Sequence, residues 1–175
     1  MKRSSELEKE AVLITAGHMA ASARTAPKTC GIDNIEAFAI DDEKTKNLLI
    51  SKMMEISKNA NRPSLARDAS SIAASGAIVA IGVKSNPSGL NCGFCGHATC
   101  EELKKTKGVC AYNSIDLGIA VSSAVLVADQ FHIDNRIMYS IGRACMELKL
   151  FSAGVTQALG IPLSATGKNP FFDRK

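Results

Sequence analysis

Apolar positions recur along this chain at spacings that switch between helical and extended. Leu7, Ala11, Ile14, His18 and Ala21 follow at steps of three and four, which predicts a first helix with a capping box from Ser5 to Glu8 and an end before Pro27. His18 lies on that stripe and is expected as a packed core histidine. Residues 35–40 alternate loosely and predict a strand. Asp41 or Asp42 then caps a second helix with Leu49, Met53, Ile56 and Ala60 on one face, and Asn61-Arg62-Pro63 stops it. Pro63 suits the first position of a third helix with Leu65, Ala69, Ile72 and Ala73 inward and Gly76 at its end. Residues 77–83 are an unbroken apolar run, the pattern of a strand buried on both faces.

Beyond the turn formers of 84–89, Thr99 and Glu102 signal a short helix over 100–107, with Glu101 and Lys105 paired one turn apart. Ser114 precedes a stretch, 115–128, that is apolar nearly all round. That predicts a helix buried on most sides and, in a chain of 175 residues, a subunit interface. Asp134 and Asn135 read as a turn, 136–141 as a strand, 144–150 as a short helix and 156–164 as a last strand. No repeat or linker interrupts the pattern. Residues 1–175 are therefore expected as one α+β domain with a mixed sheet of four strands.

The chemistry sits between the second strand and the long helix. Residues 91–110 hold four of the six cysteines, Cys92, Cys95, Cys100 and Cys110, spaced C-x2-C-x4-C-x9-C. A [4Fe–4S] cluster accounts for four thiols so close in sequence, because each iron corner takes one thiolate. Gly93 and Gly96 let the backbone curl around it. Zinc is the alternative metal, although four-cysteine zinc sites more often use two C-x2-C knuckles. The opening MKRSSELEKE has no apolar stretch of the kind a secretory signal needs, so a cytoplasmic, reducing setting is expected and disulfides are disfavoured. The formal charge of +4 comes from scattered basic residues and aromatics make up 5%, which argues against nucleic acid. The apolar run 72–83 is too short to span a bilayer, so no membrane is expected.

The segment CGFCGHATC resembles the iron–sulfur segments C-G-x-C-G-x-x-x-C of several prokaryotic redox and one-carbon proteins. Those usually place the fourth cysteine further on, which leaves Cys145 as the alternative to Cys110. With DLGIAVSSAV, DNRIMYSIG and GIPLSATGKNPFFDRK, nearly the whole chain resembles a prokaryotic family of uncharacterised proteins containing a ferredoxin domain. The resemblance implies an iron–sulfur protein, and four cysteine-held corners, which leave no iron open for a substrate, point to electron transfer with an unidentified redox partner protein.

The segment Ala23-Arg24-Thr25-Ala26-Pro27-Lys28, between helix and strand, resembles the A-R-x-A-P-S segment of flavin-dependent nitroreductases. That likeness implies a nitroreductase-like α+β fold with an inserted cysteine loop, a homodimer, and an oxidoreductase in which FMN would meet Arg24, Lys28 and Lys168. The chain departs from that pattern where Lys28 and Gly31 replace the usual Ser and Asn. A third reading is a structural zinc-binding or assembly module. SATGK at 164–168 lacks phosphate-loop spacing and is expected as a turn. His97 is a candidate hydrogen-bond donor beside the metal. Cys30 and Cys145 are expected as buried thiols, and Asp129, Asp134 and Arg136 as structural ion pairs.

Overall fold

In the computed structural model, which describes residues 1–172, helices cover both faces of a four-stranded sheet. The strands are β1 (Ile35–Ile40), β2 (Ala77–Lys84), β3 (Asp134–Asn135) and β4 (Val155–Ser164), in the order β1-β2-β4-β3. The α+β class stands, but every pairing is antiparallel and the sheet is not mixed. The connection after β1 explains this. It is a hairpin of two helices, α2 (Glu43–Asn59) and α3 (Pro63–Ile72), which carry the chain down and back. Hence β2 starts where β1 stopped, Ile78 opposite Ile40, and must run the other way.

The apolar run in β2 is buried at every position from Ala77 to Val83. Its side chains alternate between two cores. Ala77, Val79, Ile81 and Val83 pack with α1 (Ser4–Thr25) and α5 (Ala111–Gln130), whereas Ile78 and Ala80 pack with α2, α3 and α6 (Tyr139–Glu147). Asp42 caps α2 by accepting the Thr45 N–H at 2.8 Å, and Pro63 opens α3, as expected. Ala60 and Ala73, expected inward, are exposed at the helix ends.

Three elements differ from the sequence reading. Helix α1 buries the opposite stripe, Val12, Ala16, Met19 and Ala23, while Leu7 and Ile14 stay outside, Ile14 at 61% exposure. The buried stripe is rich in alanine, and α5 answers it with Ala120, Ala124 and Ala128. Small side chains let the two helices approach closely, which outweighs burial of a few larger ones. His18 is therefore exposed, stacked on Phe131 with ring centroids 5.9 Å apart. The N-cap is Arg3, whose backbone N–H donates to Glu6, not the Ser5–Glu8 box.

The second difference is α5, which begins at Ala111 with Cys110 as its N-cap, four residues before Ser114. By length and mean hydropathy (1.4) α5 is apolar enough to cross a membrane, and Leu117, Ala120, Val121, Ala124 and Ala128 are core residues of this fold. The third lies after α5, where Asp134 and Asn135 form the edge strand β3 and not a turn. The residues expected as a strand over 136–141 give one bridge, Met138 to Gly160, before turning into α6. Among the described residues Arg136 makes no ion pair there. It donates to the Phe171 carbonyl at 3.0 Å and lies over the Phe172 ring, while Asp134 accepts from Asn169.

Helix α6 buries Cys145 completely, and burial pushes its thiol up to about 12. The unfolded chain releases that proton near the ordinary thiol value of 9.0, so between pH 9 and 12 the unfolded state binds fewer protons and stability falls as pH rises. Denaturant titrations above pH 9 should show the wild type losing about 1.4 kcal/mol per pH unit relative to Cys145→Ala, and parallel pH curves would contradict the burial argument.

Candidate metal centre

The segment between β2 and α5 is clamped where it leaves the sheet. Lys84 N–H donates to Asn34 O at 2.9 Å, Ser85 N–H to Gly154 O at 3.0 Å, and Asn86 N–H to Asn113 Oδ1 at 3.0 Å. Beyond the clamp the backbone enters the left-handed region repeatedly, including Gly93 (φ 71°) and Gly96 (φ 85°). Gly96 N–H donates to Gly93 O at 2.9 Å, which closes the C-x2-C turn around Cys95. Asn91 Oδ1 accepts the Cys100 N–H at 2.9 Å and ties this arm to α4 (Cys100–Lys104). Thr99 caps α4 by accepting the Glu102 N–H, and Glu102 accepts from Ala98. The helix is shorter than expected, and Glu101 pairs with Lys104 at 2.6 Å, not with Lys105. Buried Leu103 fills the space beside Gly108, where the chain returns to Cys110.

All four cysteines of the segment line one cavity, together with His97 and Tyr112. Its empty space is about 250 Å³ with the mouth included, and about one water-sized sphere fits inside it. Cys100 and Cys110 are buried at the starts of α4 and α5, while Cys95 is half-buried and Cys92 exposed on the glycine-rich arm. Two thiols are thus fixed in the framework and two sit on an arm with conformational freedom. No three His, Cys, Asp or Glu side chains among the described residues gather closely enough to hold a single ion. Four thiols are a donor set that an iron–sulfur cluster takes, one at each iron corner, and that zinc takes as well.

The Cys110 sulfur has an environment suited to a thiolate. Burial raises its thiol, but the backbone N–H groups of Ser88, Tyr112 and Asn113 and the Ser88 hydroxyl, 4.0 Å away, outweigh burial and hold it below the ordinary value. No side-chain capping bond closes at this end of α5, and the Tyr112 and Asn113 N–H groups of its first turn point at the Cys110 sulfur. Cys145 lies in the core on the other face of the sheet, so of the two candidates for fourth ligand the cavity contains Cys110. Cys30, expected buried, is exposed on the 3-10 turn Thr29–Gly31. Ser88, Asn91 and Asn113 shape the site, and nothing in their sequence context marked them.

The basic residues assigned to a flavin phosphate do not form one site in the chain. Arg24 is ion-paired with Asp33, and Lys28, its ammonium nearly buried, donates to the Arg24 and Ala26 carbonyls and lies 3.9 Å from Asp33. Lys168 follows β4 at the opposite end of the sheet. A larger cavity, about 520 Å³, lies between α5, α6 and β4, lined by Leu117, Tyr139, Arg143, Met146 and the Ser114–Gln157 pair. Ser114 is one helical turn beyond Cys110.

Residues 106–174 match a family described as uncharacterised proteins containing a ferredoxin domain, a stretch that includes Cys110 but not Cys92, Cys95 or Cys100. An uncharacterised protein of Archaeoglobus fulgidus is 44% identical over 178 residues, covering 97% of this chain and 95% of its own length. The chain belongs to this ferredoxin-domain family. Among solved structures, the fold of this family member is similar to an FMN-bound nitroreductase of Desulfitobacterium hafniense (TM-score 0.63, 12% identity, 99% and 85% of the two chains). It is also similar to an oxidoreductase containing FMN (0.61, 14%, 89% and 67%) and a BluB-like flavoprotein of Clostridium difficile (0.55, 18%, 89% and 82%). The chain thus has the nitroreductase fold, and the cysteine segment lies between β2 and α5.

Proposed function

We propose that this chain is a cytoplasmic iron–sulfur protein that holds one [4Fe–4S] cluster on Cys92, Cys95, Cys100 and Cys110 and exchanges electrons with a redox partner protein. The convergence of these four thiols on one cavity carries the reading. When bound, the cluster supplies one-electron transfer. With all four corners held by cysteine, no iron is left open for a substrate. Cys100 and Cys110 hold the buried side, and the first turn of α5 presents N–H groups that favour the more negative, reduced state. On the outer side Phe94, 64% exposed, tilts against Tyr112 with centroids 5.8 Å apart and offers an apolar contact beside the site.

The same reading makes the protein a homodimer. The outer faces of α1 and α5 leave Ile14, Ile119 and Leu126 exposed, with Phe131 just beyond α5, and a second copy packed there would cover them.

A second reading, an FMN-dependent oxidoreductase, has the fold and the 520 Å³ cavity in its favour. The separation of Arg24 and Lys28 from Lys168 stands against it. Absorbance of anaerobically purified protein distinguishes the two. A broad brown charge-transfer band is expected, whereas resolved flavin peaks, with flavin released on denaturation, would favour the second reading. A colourless protein with stoichiometric zinc would favour a structural module.

A further inference from the structure

The cavity of about 520 Å³ between α5, α6 and β4 has no role in the cluster reading. It lies at the sheet end where the cysteine segment leaves β2, since Ser85 N–H donates to Gly154 O just ahead of β4. Its size is that of a small-molecule site, and Leu117, Met146 and Leu159 give it an apolar wall. Tyr139 and Arg143 of α6 and Gln157 of β4 supply polar groups, and each is held in a way that leaves a donor over. Arg143 Nε donates to Glu147 Oε1 at 2.8 Å and Nη1 to Tyr139 Oη at 3.4 Å, so Nη2 keeps both N–H groups without an acceptor among the described residues. Gln157 Oε1 accepts the Ser114 hydroxyl at 2.7 Å, which fixes that amide and leaves its Nε2 without an acceptor among the same residues. The Tyr139 hydroxyl accepts from Arg143 and still has its own proton to donate.

Charge narrows the class of ligand. Among the described residues Arg143 is the one charged side chain that lines the cavity, and Glu147, which steadies the guanidinium, is not part of the lining. Spare donors beside a cation, with no carboxylate in the lining to compete for them, complement an anion. The planar guanidinium matches a carboxylate, and the apolar wall asks for an apolar body on the same molecule. We infer that this cavity binds a small organic carboxylate with a ring-sized apolar body, the carboxylate on Arg143 and Tyr139 and the body against Leu117 and Met146. Gln157 Nε2 is left for a further acceptor on the ligand. A flavin phosphate, a dianion, would find a single cation here. Ser114 stands one helical turn beyond Cys110, so the bound molecule lies beside the proposed cluster, yet the framework builds the site without it.

The probe is 2-naphthoate, titrated into the full chain by calorimetry, with naphthalene-2-carboxamide as its neutral counterpart. Saturable one-site binding is expected for the carboxylate. Binding should be at least about tenfold weaker for the carboxamide, and for the carboxylate to Arg143→Gln, because each change removes a charge-assisted pair. Thr156→Trp, at the exposed rim, should block the cavity and abolish binding. In 15N–1H spectra of the wild type, the amide signals of Ser114, Arg143 and Gln157 should move as 2-naphthoate is added. Equal affinity for the carboxamide would overturn the anionic class. No saturable binding of 2-naphthoate, spectral shifts confined to other residues, or wild-type affinity in folded Arg143→Gln would overturn the site. The spectra need no variant, so a variant that fails to fold leaves the test standing. Iron content does not enter, and a chain that takes up no iron would sink the cluster reading while leaving this outcome to be read separately.

Discussion

Cys95→Ser, reconstituted anaerobically beside the wild type, is expected to lose its brown colour and more than about tenfold of its iron occupancy. Even outer partners of a metal site carry about 10–100-fold in affinity, and a thiolate replaced by a hydroxyl removes a ligand outright. Cys95 is half-buried at the glycine-closed turn and belongs to neither hydrophobic core, so the fold should survive. Far-UV circular dichroism and the thermal midpoint should match the apo wild type. Cys30→Ala and Cys145→Ala should keep their iron, because neither side chain lines the cavity. Retention of full iron by Cys95→Ser would remove it from the ligand set, and loss of iron from Cys145→Ala with retention by Cys110→Ser would exchange the fourth ligand.

Gly142→Ala is expected to unfold the protein or destabilise it by at least about 3 kcal/mol, the upper end for an overpacked site. A methyl group on Gly142 would stand 2.0 Å from the Ala158 carbonyl oxygen and 2.6 Å from the Leu159 nitrogen. Those are backbone atoms of β4 and have nowhere to go. Gly160 is the reciprocal contact, since a Cβ there would lie 2.1 Å from Ile141 Cγ2. Together the two glycines let α6 lie against β4 and cover strand edge that the two-residue β3 leaves unpaired. Gly17→Ala is the control. Nothing lies within 4 Å of its added methyl, so it should stabilise α1 by about 0.5–1 kcal/mol. Urea denaturation of the three proteins gives the comparison, and equal midpoints for Gly142→Ala and wild type would contradict the packing.

The same glycine pair shows where sequence reading stops. Residues 136–141 read as a strand, yet the chain turns into α6 at Tyr139, and Gly142 lets that helix approach the β4 backbone. Strands β1, β2 and β4 were legible because their apolar runs are short, bounded by turn formers and supported by a real two-sided core. Helix α1 was legible as a helix but not in its facing. It carries two apolar stripes, and α5's alanines decide between them. The gathering of Cys92, Cys95, Cys100 and Cys110 around one cavity was legible from spacing alone. Asn91, Ser88 and Asn113 were not, because their roles depend on a loop folding back onto the starts of α4 and α5. The flavin residues show the converse: Arg24 matches a pattern in sequence and Lys28 stands where that pattern has Ser, yet Asp33 occupies both in the fold.

Counting iron and acid-labile sulfide per chain in protein purified without oxygen tests the cluster most directly. About four of each are expected, with an EPR signal appearing on reduction. One zinc per chain without sulfide, or no metal after reconstitution with iron and sulfide, would contradict it.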